Sequence, residues 1–307
     1  MLLNFLVILL PLMAGYLIVI DKFTHASQIN KFINQFLNYM VFVILFCMGV
    51  NLAFLEDLVT NLKRIALYSG TFFFFICLAN LLILMLLSWI TPWRDSKIKG
   101  HGKINWLMLK GSLELIGCVI AGFIIGVSFN DTKVEPLLNY ALDISQYALS
   151  ILIFLVGIQL RHSGLTIKQI LLNKKGLLLS GLILTSSLLA GMLAALILGM
   201  DMKLGLALSS GFGWYSLSGI LISDAYGPLW GSIAFFNDLA REILVIILIP
   251  IFTAQYRYIT LGLSGATSMD FTLPILQKNG GIEIVPAAIV QGFILSLAAL
   301  LLLAAFS

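Results

Sequence analysis

The sequence has very little charge. Only 10% of its 307 residues are Asp, Glu, Lys or Arg, whereas 60% are hydrophobic and the mean hydropathy is +1.05. A soluble globular chain carries about 25% charged residues, so this composition excludes a water-soluble fold. The apolar runs are long and unbroken, which excludes a transmembrane barrel, whose strands alternate in polarity. The composition therefore predicts one all-α, polytopic transmembrane domain over residues 1–307.

The sequence is also poor in residues that carry enzyme chemistry. Its three cysteines lie in apolar runs without metal-binding spacing, so they are expected to be reduced and buried. Residues 262–265 (GLSG) match a serine protease pattern of intramembrane enzymes, but no histidine follows His162 to act as the base. The motifs HExxH and GxGD are absent as well. We therefore predict no enzyme, no metal site and no cofactor.

Ten apolar segments account for most of the chain. The seventh and ninth are rich in Gly, Ser, Thr and Pro, so they are expected to be discontinuous or re-entrant, which leaves about eight to ten full crossings. Basic residues cluster in the loops after the third and fifth segments, and the positive-inside rule makes those loops cytoplasmic. With an even number of crossings, both termini then lie outside. The segments cover residues 2–20, 36–55, 66–90, 106–128, 137–160, 177–199, 204–222, 230–252, 258–276 and 284–306.

Two short motifs recur at a nearly constant spacing along the chain. The copies lie near residues 1–90 and 106–199, and three crossings separate them, so the second copy is inverted in the membrane. Inverted repeats are typical of secondary transporters that work by alternating access. The matching stretches are 14–18 (AGYLI) with 121–125 (AGFII), and 46–52 (FCMGVNL) with 154–160 (FLVGIQL).

The eighth segment carries three charges in its middle. Asp238, Arg241 and Glu242 are spaced i, i+3 and i+4, which puts them on one helix face, with Asn237 alongside. Each charge at this depth costs about 2.5–3.5 kcal/mol, so a compensating role is expected. Asp238 and Arg241 are expected to form a mainly structural pair, although a substrate carboxylate is another partner for the arginine. Glu242 is the candidate for binding a cation or a proton.

The seventh segment supplies aromatic and hydroxyl candidates. An unwound centre would expose backbone groups there, which a membrane tolerates only beside a cavity or a ligand. Trp214 and Tyr215 present aromatic faces suited to a cationic group, and Ser216 and Ser218 add hydroxyls. Close helix packing through the small residues is the alternative interpretation.

The ninth segment contains a single acid, Asp270. Pro274 lacks an amide hydrogen and clashes with the carbonyl four residues earlier, so a helix here is expected to break at Asp270 and leave its carbonyl free. We predict a buried carboxylate next to Thr267 and Ser268 that suits a cation or a proton. A helix cap near the surface is the alternative.

These motifs resemble those of the bacterial L-lysine exporter family. The resemblance rests on residues 211–220 (GFGWYSLSGI), 235–242 (FFNDLARE) and 262–274, and it covers essentially the whole chain. It implies a protein of the bacterial inner membrane, with an outside N-terminus, that exports L-lysine and its toxic analogue thialysine. It also implies two essential acids within the membrane, which correspond to Glu242 and Asp270, and a family usually drawn with eight spans.

The residues and the resemblance lead to one mechanistic hypothesis. Glu242 and Asp270 would face a water-accessible cavity and bind either lysine or a counter-moving proton, while Trp214, Tyr215 and the serines contact the amino-acid head group. The predicted function is lysine export by proton-coupled antiport, with sodium as the other candidate coupling ion. A transporter for another small organic solute and a passive channel are the alternatives. No nucleic-acid partner is expected.

Overall fold

The structure is a computed structural model that describes residues 10–11, 13–18, 26–54, 58–91, 93, 110–129, 135–162, 173–253 and 255–306. Every regular element among these residues is a helix, which confirms the predicted all-α class. We label the α-helices α1 (Ala26–Ala53), α2 (Leu58–Ile90), α3 (Lys110–Phe129), α4 (Glu135–His162), α5 (Lys174–Leu198), α6 (Met202–Ser209), α7 (Tyr215–Tyr226), α8 (Pro228–Phe252), α9 (Arg257–Ser264), α10 (Leu273–Gly280) and α11 (Val285–Phe306). Two 3-10 turns, Gly265–Met269 and Ile282–Ile284, join α9 to α10 and α10 to α11.

Four of the described helices are long and apolar enough to cross a membrane. They cover Lys31–Ala53, Val59–Ile90, Lys174–Leu198 and Ile282–Phe306, and shorter apolar stretches occupy Leu113–Ser128 in α3 and Tyr147–Gln159 in α4. The 25 residues of α8 also suffice for a crossing, since they extend over about 37 Å, but this helix carries the three central charges. The chain is therefore a helical transmembrane bundle.

The N-terminal elements pack through glycines. Helix α1 lies against both α3 and α4. A Cβ atom at Gly122 would lie 2.1 Å from the carbonyl oxygen of Phe46, and one at Gly15 would lie 2.0 Å from that of Phe154. Each glycine therefore touches the backbone of the other copy of the predicted repeat. This reciprocity supports the inverted repeat, which stays a prediction.

The charged helix α8 packs against α7, α2 and α9, and further helices lie around this group. Helix α2 packs against α5, α8 and α9, whereas α5 packs against α6 and α11. Polar side chains join α2 to α5 in the interior, because the Asn80 amide lies 3.1 Å from Ser187 Oγ and accepts a 2.5 Å hydrogen bond from Ser186.

One end of the bundle is marked by aromatic and charged side chains, and we call it the basic end. Lys175, at the start of α5, places Nζ 3.9 Å from the ring centroid of Trp93, which follows α2. The Trp93 ring lies 4.7 Å from that of Tyr258 in the first turn of α9. Arg257 Nη1 is 3.5 Å from Glu283 Oε2, just before α11. Helix α2 therefore ends here, and α5, α9 and α11 begin here.

The seventh and ninth segments each return to the end of the bundle from which they enter. Because α5 runs for about 37 Å from the basic end, α6 begins at the opposite, far end. Helix α7 also ends there, since the Tyr226 hydroxyl donates to the carbonyl of Phe306 at the end of α11. Helix α9 begins at the basic end, and α10 ends there, next to Glu283. The seventh and ninth segments are therefore re-entrant hairpins, which we call hairpin 1 (α6–α7) and hairpin 2 (α9–α10).

Candidate functional site

The tips of the two hairpins meet inside the bundle. The amide of Ala266 in hairpin 2 donates a 3.0 Å hydrogen bond to the carbonyl of Phe212 in hairpin 1. A Cβ atom at Gly265 would lie 2.1 Å from the same oxygen, and Gly265 has φ +59°, so only glycine fits there. Phe212 itself has φ +50°, which is uncommon for a residue with a side chain. The crossing of the tips thus depends on special backbone conformations.

Asp238 ties hairpin 1 to α8. Its carboxylate is fully buried and accepts hydrogen bonds from the Gly213 amide (3.0 Å), the Ser218 hydroxyl (2.6 Å) and Arg241 Nη1 (3.0 Å). A Cβ atom at Gly211 would lie 1.8 Å from Oδ2, so the tip of the hairpin approaches this carboxylate as closely as backbone can. The structure therefore contains the Asp238–Arg241 pair that the spacing predicts, and the pair is satisfied within the protein.

Glu242 lies one turn beyond Asp238 and lacks such partners. Its side chain is only 3% exposed, and neither carboxylate oxygen has a hydrogen-bond partner among the residues that the structure describes. Asp238 and Asp270 are both close enough to interact with it electrostatically. A buried carboxylate without a donor is costly, so this position needs a proton or a cation.

Asp270 is accessible, which corrects the prediction that it is buried. Hairpin 2 turns between the 3-10 turn and α10, and Asp270 lies exposed in that turn. Its Oδ1 accepts a 2.5 Å hydrogen bond from the Phe271 amide. Helix α10 extends over about 12 Å, so the exposed carboxylate lies about that far from the basic end, at depth within the bundle.

Pro274 begins a helix and does not break one. Helix α9 ends at Ser264, and Pro274 occupies the first turn of α10, where its missing amide hydrogen costs nothing. The carbonyl of Asp270 is not free either, because it accepts from the Leu273 amide at 3.3 Å. The predicted free carbonyl is therefore wrong, and so is the role of Pro274 as the breaker. The α-helix ends earlier, at Ser264, and helical backbone continues as the 3-10 turn until it stops at Asp270.

Tyr215 lies within electrostatic range of both acids. Its side chain is 8% exposed and interacts electrostatically with Glu242 and Asp270, while its ring packs edge-on against Phe235 at 5.8 Å. The structure thus brings these predicted site residues together. Trp214 is half-buried at the start of α7, and Ser216 is buried in its first turn.

The remaining predicted hydroxyls build the hairpins. Ser218 donates to Asp238, as described above. Thr267 donates to the Ser264 carbonyl at 2.9 Å, and Ser268 lies 2.8 Å and 2.9 Å from the carbonyls of Gly265 and Ala288. Their direct contact with a substrate stays a prediction.

Two side-chain amides close the inner helix ends of the hairpins. Asn237 of α8 donates to the carbonyl of Leu208 at 3.2 Å, and Gln291 of α11 donates to that of Leu261 at 2.7 Å. Such carbonyls have no partner within their own helix. Asn237 is among the predicted site residues, whereas Gln291 is not. Its signal in the sequence is that of a lone amide in a helix that is otherwise almost entirely apolar.

A large groove lies apart from the two acids, and the described residues include no candidate metal site. A groove of about 850 Å³ runs between α2 and α8–α9 near the basic end, and its lining is mostly apolar, from Leu81 and Met85 to Trp93. It does not include Glu242 or Asp270. Among the described residues, no group of three or more His, Cys, Asp or Glu side chains could hold a metal ion.

Comparisons with known proteins give a consistent result. The profile of the family described as "Lysine exporter LysO" matches residues 116–307. The lysine exporter LysO of Escherichia coli (strain K12) is 48% identical over 302 residues, which cover 98% of either chain. A putative lysine exporter of Haemophilus influenzae is 48% identical over 194 residues, or 63% of this chain and 97% of its own. No solved structure matches this chain.

Proposed function

The chain belongs to the lysine exporter LysO family, and we propose that it exports L-lysine across the bacterial inner membrane. The family profile covers more than half of the chain, and the Escherichia coli relative is similar over nearly its full length. The helical transmembrane bundle agrees with a membrane transporter. We propose that Glu242 and Asp270 form the binding site for the substrate and the coupling ion.

The observation that carries this proposal is the unpaired carboxylate of Glu242 near the accessible Asp270. Asp238 and Arg241 neutralise each other. The carboxylates of Glu242 and Asp270 therefore remain as two uncompensated negative charges at the site. Lysine carries two ammonium groups, which match these two acids. Tyr215 lies within electrostatic range of both carboxylates and could offer an aromatic face and a hydroxyl to the same ligand.

We propose that export is coupled to protons by alternating access. Glu242 is sheltered and Asp270 is open to solvent, so a proton and a lysine ammonium would compete for the same carboxylates. That competition is what an antiporter requires, because one ligand must leave before the other binds. Hairpin tips that enter from opposite ends are suited to open the site to one side at a time. Thialysine carries the same charges as lysine and is expected to be exported too.

Lysine counterflow in proteoliposomes tests the function. Vesicles loaded with unlabelled lysine are diluted into labelled lysine, with and without an imposed proton gradient. We expect accumulation of label that the proton gradient accelerates or opposes according to its direction. A sodium gradient in place of the proton gradient identifies the coupling ion. Absence of counterflow by protein that is folded and inserted would contradict lysine transport.

Neutral replacements of the acids test the site. A bound lysine would cover both carboxylates, and a buried ammonium that loses its carboxylate partner loses about 2–5 kcal/mol. Glu242→Gln and Asp270→Asn should therefore each lower lysine counterflow by roughly 30-fold or more. Glu114→Gln, which changes an exposed acid of α3, is the matched control and should keep the wild-type rate. The amount of each variant in the membrane is measured in parallel. Full counterflow in both acid variants would refute the assignment.

Two other functions give different results in these assays. A passive channel would equilibrate lysine along its electrochemical gradient and would not respond to an imposed proton gradient. A transporter for another small organic solute would show counterflow with that solute, and competition across amino acids and organic acids would reveal it. The two acids at the site favour a cationic substrate over an organic anion.

A further inference from the structure

The two hairpins and the helices that follow them repeat one arrangement in opposite directions. Hairpin 1 enters from the far end and is followed by α8, whereas hairpin 2 enters from the basic end and is followed by α11. Helix α7 packs against α8, and the 3-10 turn of hairpin 2 packs against α11. One full crossing, α8, separates the two hairpins, so the second hairpin and its following helix are inverted relative to the first.

The hydrogen bonds of the two units recur at a constant spacing of 54 positions. Asn237 Nδ2 donates to Leu208 O at 3.2 Å, and Gln291 Nε2 donates to Gly262 O at 3.3 Å as well as to Leu261 O. Donor and acceptor have both moved by 54 positions along the chain. The Ser-Gly pair at 210–211 recurs as 264–265 with the same spacing. In both units the amide oxygen has no partner among the described residues.

Residues at equivalent positions also touch each other, as they must beside a twofold axis. Phe212 and Ala266 are 54 positions apart and form the backbone hydrogen bond between the hairpin tips. Asn80 and Ser187 are 107 positions apart, which is the spacing of Gly15 and Gly122 in the first repeat. Their side chains are hydrogen-bonded at 3.1 Å between α2 and α5.

The flanking helices obey the same relation. Helix α2 packs against α8 and α9, and its equivalent α5 packs against α11 and α6. The spacing of 107 relates α2 to α5, and the spacing of 54 relates α6–α8 to α9–α11. Because the packing of these helices agrees with both relations, one symmetry operation accounts for the two spacings.

We infer that one pseudo-twofold axis relates two inverted units, and that the first unit is split around the second in the sequence. The first unit consists of the segment near Gly15, α1, α2 and α9–α11. The second is continuous and consists of α3–α8. The axis passes between Asn80 and Ser187 and between the hairpin tips, next to the candidate site.

This relation makes Gln291 a positioning residue for hairpin 2, as Asn237 is for hairpin 1. Each amide binds carbonyls in the last turn of the first helix of its hairpin, so each sets the position of a tip. The tip that Gln291 holds leads directly into Asp270. The functional part of the inference rests on the proposed export, whereas the architecture does not.

Cysteine accessibility tests the architecture without any transport measurement. Cys47, Cys77 and Cys118 are replaced by Ser, and single cysteines are introduced at the exposed hairpin ends, at Asp201 and Ala225 for hairpin 1 and at Gln255 and Lys278 for hairpin 2. A membrane-impermeant maleimide should label the first two from one side and the last two from the other. Labelling of the two ends of one hairpin from opposite sides, or of all four from one side, would overturn the inferred units.

Substitution of Gln291 tests the positioning role. A tip displaced by about 1 Å should misplace Asp270, so Gln291→Leu should lower lysine counterflow per inserted molecule by roughly tenfold or more and raise the half-saturating lysine concentration. Gln291→Asn keeps an amide and should retain part of the rate; it also carries the test if the leucine variant does not accumulate. Gln277→Leu, on the exposed face of α10, is the control. Wild-type rates and half-saturation in both Gln291 variants would overturn the role, even where Glu242→Gln abolishes export.

Discussion

At the residue scale, the three charges of α8 differ in their partners. Asp238 accepts from three donors, one of which is its counter-ion Arg241, whereas Glu242 has no donor within the described chain. The spacing i, i+3, i+4 predicts that all three share a helix face, and from this it predicts the ion pair. Which acid remains unpaired depends on hairpin 1, because Gly213 and Ser218 reach only as far as Asp238.

Removal of the Asp238 charge should destabilise the protein. Asp238→Asn leaves Arg241 buried without a counter-ion, which costs about 3–5 kcal/mol. We expect a clear fall in the thermal unfolding midpoint of the purified protein. The double variant Asp238→Asn/Arg241→Met should recover part of the loss, because it removes the uncompensated charge. An unchanged midpoint in the single variant would show that the pair is not structural.

The accessibility of Asp270 was beyond what a sequence of this kind predicts. Apolar neighbours on both sides favour burial when the segment is taken as one crossing. In the structure the chain turns back at this point, so the same neighbours pack in two directions and leave the carboxylate open. Long-range geometry, and not local composition, decides its exposure.

At the element scale, two glycines of α3 should respond in opposite ways to substitution by alanine. A Cβ atom at Gly122 would lie 2.1 Å from the Phe46 carbonyl oxygen, whereas one at Gly117 meets nothing within 4 Å. Gly122→Ala should therefore force α1 and α3 apart and cost about 1–3 kcal/mol. Gly117→Ala should be neutral or stabilising by up to about 1 kcal/mol, because alanine is the better helix former. Thermal unfolding of both variants checks the opposite signs, and equal effects would contradict the packing.

The position of Pro274 gives a second prediction at this scale. In the first turn of α10 the proline replaces no hydrogen bond, so Pro274→Ala should cost no more than about 1 kcal/mol and keep lysine export. Leu276→Pro would remove the amide that donates to the Thr272 carbonyl at 2.9 Å, and we expect a loss of about 3 kcal/mol. A large loss in the alanine variant would restore the interpretation of Pro274 as a helix breaker.

The sequence predicts the breaks of the two hairpins with different success. In the seventh segment the cluster of glycines and serines predicts an unwound centre, and the chain does leave the helix at residues 210–214. In the ninth segment the proline draws attention to Asp270, although the break begins at Gly265, where the approach of Phe212 demands a glycine. A contact between two hairpins has no signature in either segment alone.

At the scale of the whole molecule, the two inferred units are not identical, and the difference lies in the acids. With a spacing of 54 positions, the equivalent of Glu242 is Ser296 and that of Asp270 is Ser216. Each unit therefore contributes one carboxylate, but from a different element: a long helix in one unit and a hairpin in the other. A site of this kind has distinct environments for its two charges, which suits two ligands that must exchange.

The charges at the two ends of the bundle predict its orientation. The basic end gathers Lys174, Lys175, Arg257 and Lys278 against Glu283, whereas Asp201, Lys203 and Asp224 lie at the far end. The positive-inside rule then makes the basic end cytoplasmic. Because α11 begins there and runs about 33 Å to Phe306, the C-terminus should be periplasmic. A C-terminal alkaline phosphatase fusion should be active and a C-terminal green fluorescent protein fusion dark, with the reverse for fusions after Trp93. A fluorescent C-terminal fusion would invert this orientation, and with it the side from which each hairpin enters the membrane.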